Sequence, residues 1–428
     1  MQKIFHNAKI LTYDEQNLIA EAFLVNDESI VIVGSNDEIL SMKSDDTAVF
    51  DMGGKTIIPS FFDTNSSVYG MIEEKLKTTN RQDFLEDNEE VDYDYAKFIN
   101  YEIYKNEFLL IQEKFIENGI TTIFEVGVRS KEFTFWKKMA EDNALKIDII
   151  GFVTFVTDKD VMDNNCKSYR KYKNHFRLGG YYLQIDDELF KKKAWLSKDY
   201  KREKDYLGYS YVVDEQLSCI IKMALDEKKQ LYVETNGDNA LFQFIRCFEE
   251  NVKDKSEEEL FKPIAKNCNF ISKKQLISIK KLGISPSFQI SDLKKYGDYY
   301  KKILGILRSK RVQPIALMKD NGIKFLLHSE KLEIPNIFEL ALIASTRENE
   351  KQKIIGKKHI ISFDDALSSL IKHSAFFAFD QGFKGSIENG KKANFIVLNN
   401  SLEEIAEKKI LNPISSVFME GNEIYKKR

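Results

Sequence analysis

The side chains best suited to chemistry are few in this chain and widely spaced. Its 428 residues include five histidines and four cysteines. No two cysteines have Cys-x-x-Cys spacing, which argues against a cysteine zinc site and indicates free thiols in a reducing compartment. His328 follows a predicted strand at residues 323–327, where an imidazole could serve as a catalytic acid. A single histidine at a strand end is more commonly a hydrogen-bonded core residue.

The elements that must position such residues differ between the ends and the middle of the chain. Short apolar, β-branched segments cover residues 1–58 and return in residues 385–428. Between them, strand and helix patterns alternate. A helical segment at residues 98–118 ends at Gly119, for example, and a buried strand pattern follows at residues 120–125.

This alternation predicts an α/β fold with a parallel sheet and helical crossovers. A closed (β/α)8 TIM-like barrel over residues 59–384 fits the length better than an open sheet. Residues 1–58 and 385–428 are predicted to pair into one small composite β-sandwich domain. The polar stretch near residues 70–97 predicts a mobile loop or helical insertion over one end of the barrel.

Composition excludes some partners. The net charge is −3 with 31% charged residues and no block of basic residues, which argues against nucleic-acid binding. No stretch approaches the ~20 apolar residues of a spanning helix, and the start of the chain has no signal-peptide pattern. We therefore expect a soluble, cytoplasmic protein without a membrane partner.

Several segments together resemble one enzyme family. Residues 57–67 resemble the first-strand signature of the amidohydrolase superfamily, in which a Pro-Gly-Phe-x-Asp-x-His-x-His run ends a barrel strand. Residues 118–122 and 385–398 resemble its second-strand and closing segments. Residues 194–200, 235–238, 287–298 and 328–330 are similar to the branch that contains N-substituted formamide deformylase and exoenzyme-regulatory-like proteins. The resemblance runs from near residue 8 to near residue 425.

The resemblance implies a metal-dependent hydrolase of non-peptide carbon–nitrogen bonds, but it places other residue types at the metal-binding positions. The two first-strand histidines, the carboxylatable lysine and the histidines of strands five and six correspond to Asn65, Ser67, about Tyr182, Glu234 and a position near Asn267. The extra histidine of the branch corresponds to Asp292, and the strand-eight aspartate to Glu330. His328 matches a position that is not a ligand in the family pattern.

These replacements predict that metal-dependent activity is lost or remodelled. An imidazole nitrogen is a strong ligand for zinc or iron, whereas amide and hydroxyl oxygens are weak ones. The sequence therefore predicts no tightly bound zinc or iron and no cofactor, although magnesium or calcium could still use oxygen ligands. Whether the protein is an enzyme stays open at this point.

If the resemblance holds, three acids lie at the carboxyl-end rim of the barrel and are the candidate catalytic residues: Glu330, Glu234 and Asp292. They allow an oxygen-ligand site for a hard cation, an acid–base pair without metal, or a pocket for a cationic ligand. Equally, they could be structural partners of Lys266, Lys294 and Lys295. The residues expected to line the pocket are Asn65, Ser67, Tyr182, Asn267 and His328.

Three functions follow from these alternatives. The first is a relative without catalysis that binds a small molecule or a partner at the barrel mouth. The second is a working hydrolase that uses Glu234, Asp292 and Glu330. The third is a glycosidase-like enzyme with a carboxylate pair, which the family-like termini disfavour. We expect a small-molecule ligand at the barrel mouth, and the sequence leaves a homo-oligomer open.

Overall fold

The structure is a computed structural model that describes residues 1–16, 18–78, 93–252 and 261–427. Of the predicted insertion near residues 70–97, residues 70–78 belong to the helix Val68–Thr78 and residues 93–97 to the helix Tyr93–Glu117. Residues 79–92 lie outside the described residues. Within the described parts of the chain, no helix is long and apolar enough to cross a membrane.

The described residues form eighteen strands, β1 to β18 in chain order. They are β1 (Gln2–His6), β2 (Lys9–Leu11), β3 (Ile19–Ala20), β4 (Ala22–Asn26), β5 (Ser29–Gly34), β6 (Ala48–Asp51), β7 (Thr56–Pro59), β8 (Phe61–Ser66), β9 (Ile120–Val128), β10 (Asp148–Thr154), β11 (Phe176–Gln184), β12 (Leu231–Glu234), β13 (Ile264–Lys266), β14 (Ser285–Gln289), β15 (Leu326–His328), β16 (Phe395–Leu398), β17 (Ile414–Met419) and β18 (Asn422–Lys426).

The described α-helices lie between these strands along the chain. They are Asn36–Leu40, Val68–Thr78, Tyr93–Glu117, Ser130–Glu141, Phe155–Asn164, Asp214–Asp226, Asp238–Asn251, Lys273–Lys281, Ser291–Leu304, Ile306–Ser309, Ile315–Asp320, Ile337–Thr346, Phe363–Ser368, Ser374–Ala378 and Leu402–Lys408. The helix Lys273–Lys281 begins with a capping box, because Ser272 and Gln275 each accept from the other's backbone N–H.

Strands β8 to β15 form one parallel sheet in chain order. The side-chain amide of Asn65 donates to the carbonyl of Ser329 over 2.9 Å, and the backbone N–H of Ser67 donates to the carbonyl of Lys331 over 2.8 Å. These bonds bring the end of the first barrel strand beside the segment that follows the last one. The predicted (β/α)8 barrel is confirmed.

Strands from both chain ends form two further sheets. The six-stranded sheet has the order β18-β17-β16-β7-β2-β3, and the four-stranded sheet has the order β5-β4-β1-β6. Phe5 of the four-stranded sheet packs on Phe395 of the six-stranded sheet, with ring centroids 5.0 Å apart, and Phe395 stacks on Phe418 at 4.5 Å. The predicted sandwich of both termini is thus present, while its proposed boundaries at residues 58 and 385 stay a prediction.

Inside the barrel, side chains on alternate positions of each strand face inward. Tyr232, Ile264 and Leu326 pack together in this interior. Two residues further along the same strands, toward their carboxyl ends, come Glu234, Lys266 and His328. The two-residue period therefore places a carboxylate, an ammonium group and an imidazole on the inward side at the barrel mouth.

A second group of buried charges lies at the amino ends of the barrel strands. We call it the floor cluster: Asp148, His175, Arg177, Asp380 and Lys384. Lys384 pairs with Asp148 and, over 3.1 Å, with Asp380, while Arg177 pairs with Asp380 over 3.0 Å. These bonds hold the segment after the last barrel helix against the start of β10 and β11.

Candidate active site at the barrel mouth

Glu234 is the centre of a buried hydrogen-bond network at the carboxyl ends of the strands. We call this network the mouth cluster: Tyr182, Glu234, Asn236, Lys266 and Asn267. One carboxylate oxygen of Glu234 accepts from the hydroxyl of Tyr182 over 2.6 Å and from Lys266 over 2.8 Å. The other accepts from the side-chain amides of Asn236 over 3.1 Å and Asn267 over 3.3 Å. Four donors from three neighbouring strand ends therefore converge on one carboxylate.

The charges in this network shift the pKa of both ionic partners. Burial by itself raises the pKa of Glu234, but the charges of Lys266 and Lys331, with the hydrogen bonds from Lys266 and Tyr182, lower it to about 2. Burial lowers the pKa of Lys266, the charge of Lys331 adds to this effect, and the Glu234 carboxylate opposes it. Glu234 is thus an anion at neutral pH and is not a proton donor there.

Asn65 and Ser67 lie at the end of β8 and just after it. The backbone N–H of Asn65 and the hydroxyl of Ser66 both bond to the carboxyl group of Asp63. Burial raises the pKa of Asp63 to about 6, and those two hydrogen bonds act in the opposite direction. Asp63 therefore fixes the backbone at the end of β8.

Two buried side-chain oxygens at the mouth lack a hydrogen-bond partner among the described residues: Asn65 Oδ1 and Asn267 Oδ1. The orientation of both amides follows from their nitrogens. Asn65 Nδ2 faces the Ser329 carbonyl, and Asn267 Nδ2 faces two oxygen atoms of the mouth cluster. Rotating either amide would set oxygen against oxygen, so each oxygen is left available for another donor.

His328 is held as a neutral imidazole. Its Nδ1 lies 2.9 Å from the Ser329 carbonyl, which can only accept, so Nδ1 carries the hydrogen. Its Nε2 then accepts from the hydroxyl of Ser287 over 3.1 Å. Burial, with the nearby charge of Lys266, lowers the pKa of His328 to about 3. This agrees with the interpretation of His328 as a hydrogen-bonded core residue.

Asp292 and Glu330 are bound differently from Glu234. Asp292 is buried and accepts from the side-chain amide of Gln289 over 2.8 Å and from the hydroxyl of Tyr300 over 2.9 Å. Burial, together with the charge of Glu330, raises the pKa of Asp292 to about 7. Glu330 is partly exposed and lies 3.8 Å from the ammonium group of Lys295. The charge of Glu330 thus raises the pKa of Asp292, whereas the charge of Glu234 is balanced by the ammonium group of Lys266.

Sequence reasoning missed two carboxyl groups that build the mouth. Asp186, two residues after β11, accepts from the backbone N–H groups of Trp195, Asn236 and Gly237 at 2.7–2.8 Å. Glu125 in β9 accepts from the backbone N–H groups of Val68 and Tyr69 at 2.8 and 3.1 Å. Their position at strand ends was the available signal, although nothing in the local sequence predicts the loops that they hold.

The barrel carries this polar cluster at the carboxyl ends of its strands, which is the end where functional sites of this fold generally lie. A model of the amidohydrolase family matches residues 62–425, and the chain belongs to this family.

Individual relatives are similar to parts or to the whole of the chain. N-substituted formamide deformylase from Arthrobacter pascens is 38% identical over 60 residues, which is 14% of this chain and 11% of that protein. An uncharacterized metal-dependent hydrolase from Pyrococcus furiosus has 16% identity and a TM-score of 0.77, covering 94% of this chain and 99% of its own. An uncharacterized metal-dependent hydrolase from Pyrococcus horikoshii OT3 has 19% identity and a TM-score of 0.77. The match covers 94% of this chain and 98% of that protein's chain. These structures support the fold alone.

The residues present do not fit the transition-metal ion that the family implies. Within the described residues, no group of three or more His, Cys, Asp or Glu side chains is arranged to hold a metal ion. The one carboxylate of the mouth cluster lies 2.8 Å from an ammonium group, whose positive charge opposes that of a cation at the same place. The remaining donors are neutral amides and a phenol, which zinc and iron bind weakly.

Proposed function

We propose that this member of the amidohydrolase family works without a tightly bound zinc or iron ion and binds a small polar molecule at the barrel mouth. The Glu234–Lys266 ion pair carries the proposal. Both side chains are buried, and an ion pair in such a place persists because each partner compensates the desolvation of the other. A metal ion bound to Glu234 would have to displace Lys266 and leave an ammonium group buried without its carboxylate.

The free oxygens of Asn65 and Asn267 define the kind of ligand. Leaving a buried acceptor without a donor costs about 1–3 kcal/mol, and a ligand N–H or O–H group would recover this free energy. The ligand that we propose is therefore a hydrogen-bond donor such as an amide, a carbamate or a hydroxylated compound.

Family membership supports descent from hydrolases of carbon–nitrogen bonds. The short segment similar to N-substituted formamide deformylase makes formamides reasonable first probes. We propose that zinc-dependent hydrolysis of this type is lost, because the water-activating role of the metal needs ligands that the mouth cluster does not supply.

Asp292 supports a second candidate, hydrolysis without metal. A carboxyl group with a pKa of about 7 exchanges its proton near neutral pH, which suits a general acid or base. Glu330 is the carboxylate nearby that could take the complementary role. In this candidate, Glu234 has a positioning role, because it stays ionised.

The first experiment measures hydrolysis of formamides, amides and esters by the full chain, with added zinc and with a chelator. Our proposal predicts no zinc-stimulated turnover, together with thermal stabilisation of the protein by small amides that Asn65→Ala weakens. Turnover that zinc increases and a chelator abolishes would overturn the proposal.

If metal-independent turnover is found, three single variants separate the candidates: Glu234→Gln, Asp292→Asn and Glu330→Gln. Glu249→Gln is the matched control, because Glu249 forms an exposed ion pair with Lys281 over 2.6 Å outside the mouth. Loss of turnover in Asp292→Asn and Glu330→Gln, with the control unchanged, supports the acid–base candidate. Turnover that survives all three changes eliminates it.

A further inference from the structure

A small cavity lies between the starts of the two helices that follow β12 and β13, Asp238–Asn251 and Lys273–Lys281. The helix starts are joined because the side-chain amide of Gln275 donates to the carbonyl of Asp238 over 2.7 Å. The volume of the cavity is about 180 Å³, which is below the roughly 300–1,000 Å³ typical of pockets for drug-sized ligands. Its size therefore suits a small molecule.

The residues around this cavity carry more positive than negative charge. Three cationic residues line it: Lys198, Arg308 and Arg311. The carboxylate beside them is Asp238, which accepts hydrogen bonds from the backbone N–H and the hydroxyl of Ser197. Among the described residues, no carboxylate forms an ion pair within 4 Å with any of the three cations. The cavity is therefore electropositive.

The guanidinium group of Arg308 is held in place by neutral groups. It donates to the backbone carbonyls of Leu304 and Lys198, each over 3.0 Å, and of Asp199 over 2.5 Å. These bonds use three of the five N–H groups of a guanidinium, and two remain. Because its partners are carbonyls, Arg308 keeps its full charge in a fixed position, which lowers the entropy cost of binding an anion.

Cations on the surface of the same two helices have partners within the chain. Arg246 forms an ion pair with Asp214, and Lys281 forms an ion pair with Glu249 over 2.6 Å. A carboxylate or phosphate group of a ligand would give the cavity cations a partner of the same kind. The cavity thus differs from the neighbouring surface in charge balance as well as in shape.

We propose that this cavity binds a small organic anion, in which a carboxylate or phosphate group is attached to an apolar group. The oxyanion contacts Arg308 and Arg311, since a planar guanidinium matches the geometry of both oxyanions. The apolar group contacts the side of the cavity that Leu196, Phe270 and Ile271 line. This site lies outside the mouth cluster, so it does not depend on the proposed function.

The test is isothermal titration calorimetry on the full chain at neutral pH with four probes. Benzoate and phenyl phosphate carry the two oxyanions on the same ring, and the one that binds identifies the oxyanion. Benzamide has the ring without the charge, and inorganic phosphate has the charge without the ring. We expect one saturable site per chain for benzoate or phenyl phosphate. Benzamide and inorganic phosphate should bind at least about tenfold more weakly, which corresponds to about 1.4 kcal/mol.

Three variants assign the binding to the cavity. Arg311→Gln removes an exposed cation and should weaken binding of the anion at least about tenfold without affecting folding. Arg308→Lys keeps the charge but loses the planar fork, so it should also weaken binding. Arg246→Gln is the matched control, because Arg246 already has a carboxylate partner, and the affinity should not change. Denaturation midpoints confirm that each variant is folded.

The outcomes that overturn the proposal are distinct. One is the absence of saturable binding for both organic anions, and another is an affinity that Arg311→Gln leaves unchanged. Equal affinities for inorganic phosphate and phenyl phosphate would refute the apolar part of the ligand. Asn65→Ala should have no effect on anion binding. Loss of binding in Asn65→Ala, with Arg311→Gln unaffected, would place the anion at the barrel mouth instead.

Discussion

The two ends of the barrel both bury charged side chains, but they do so in opposite ways. In the floor cluster, two carboxylates face a lysine, an arginine and a histidine, and Lys384 alone makes four hydrogen bonds. In the mouth cluster, the Glu234 carboxylate accepts hydrogen bonds from four donors, and its partner Lys266 has one acceptor. The side-chain oxygens of Asn65 and Asn267 have no hydrogen-bond donor among the described residues. Lys384 of the floor is shared by two carboxylates, whereas Lys266 of the mouth is paired with one.

The difference separates a structural role from a functional one. The buried ion pairs of the floor fix the relative position of the elements that they join, here the chain near Asp380 and the start of β10. Unpaired polar atoms cost stability in the free protein, and a ligand that donates hydrogen bonds would satisfy the two amide oxygens at the mouth. The comparison supports the proposal that the mouth is the functional site, although the residues expected at a metal centre of the family are replaced.

The largest expected effect is at the floor. Lys384→Met leaves Asp148 and Asp380 buried without their shared cation, and we expect a loss of about 3–5 kcal/mol in the free energy of unfolding. Urea denaturation measures it. Lys391→Met, which removes a partly exposed ion pair with Glu388, is the control and should cost far less. Equal effects in the two variants would mean that the floor cluster is not a structural anchor.

At the mouth, the corresponding single change should cost less, about 2–4 kcal/mol. Lys266→Met leaves Glu234 buried but still bonded to Tyr182, Asn236 and Asn267. Because Glu234→Gln removes the charge that Lys266 balances, the double variant should be more stable than the sum of the single losses predicts. Additive losses in the denaturation experiment would contradict a direct Glu234–Lys266 interaction.

The pH dependence of stability should report on carboxyl groups at the mouth end. Burial raises the pKa of Glu125 to about 8 and that of Asp292 to about 7, so the folded protein holds protons that the unfolded chain releases near pH 4. Their contribution is complete below about pH 4 and is lost as the pH rises toward about 8. Glu125→Gln should reduce this loss by about 5 kcal/mol over the full pH range in unfolding titrations at several pH values.

The floor provides the contrast for this titration. Asp148 has its pKa lowered to about 2, because Lys384 and His175 outweigh the effect of burial. Its contribution is present above the pKa of the unfolded chain and is lost only as the pH falls through about 4 toward 2. Between pH 5 and pH 8, Asp148→Asn should therefore change the pH dependence of the free energy of unfolding much less than Glu125→Gln does. Equal changes in the two variants would contradict the assignment of this pH dependence to the mouth end.

The smallest expected effect concerns the backbone of Asn267. This residue has a φ of 62°, which asparagine and glycine adopt more readily than alanine. Asn267→Ala and Asn267→Gly both remove the amide, but alanine adds strain of about 1 kcal/mol. Comparing the denaturation midpoints of the two variants isolates the strain, and indistinguishable midpoints would mean that the left-handed conformation is not maintained.

Much of the fold could be predicted from the sequence, because alternation and capping are local signals. The helix Asp214–Asp226 buries Leu217, Ile220 and Ile221 as their spacing predicts. The strand Phe176–Gln184 was not predicted, since an arginine and two glycines interrupt its apolar pattern, and neither was the three-residue strand Ile264–Lys266. The serine and acidic residues at 362–365 predict a helix start, and helical segments do run from Phe363 to Ala378 after a capping box at Ser362. The later helix Leu402–Lys408, with its own capping box at Ser401, was not predicted.

The site could be predicted less completely. Resemblance located Glu234 and Asn267 near strand ends, and both lie there. The role of Lys266 depends on the pairing of β12 with β13, which sets Glu234 directly opposite Lys266. Register between two strands separated by a helix is not visible in local sequence. The catalytic roles suggested for Glu234, Asp292 and Glu330 stay predictions.

The most direct test of the central claim is elemental analysis of the full chain purified from medium supplemented with zinc, iron and manganese. The mouth cluster, with an ammonium group beside its carboxylate and neutral amides around it, predicts no transition metal in stoichiometric amount. A content near one ion per chain that Glu234→Gln abolishes would contradict the account.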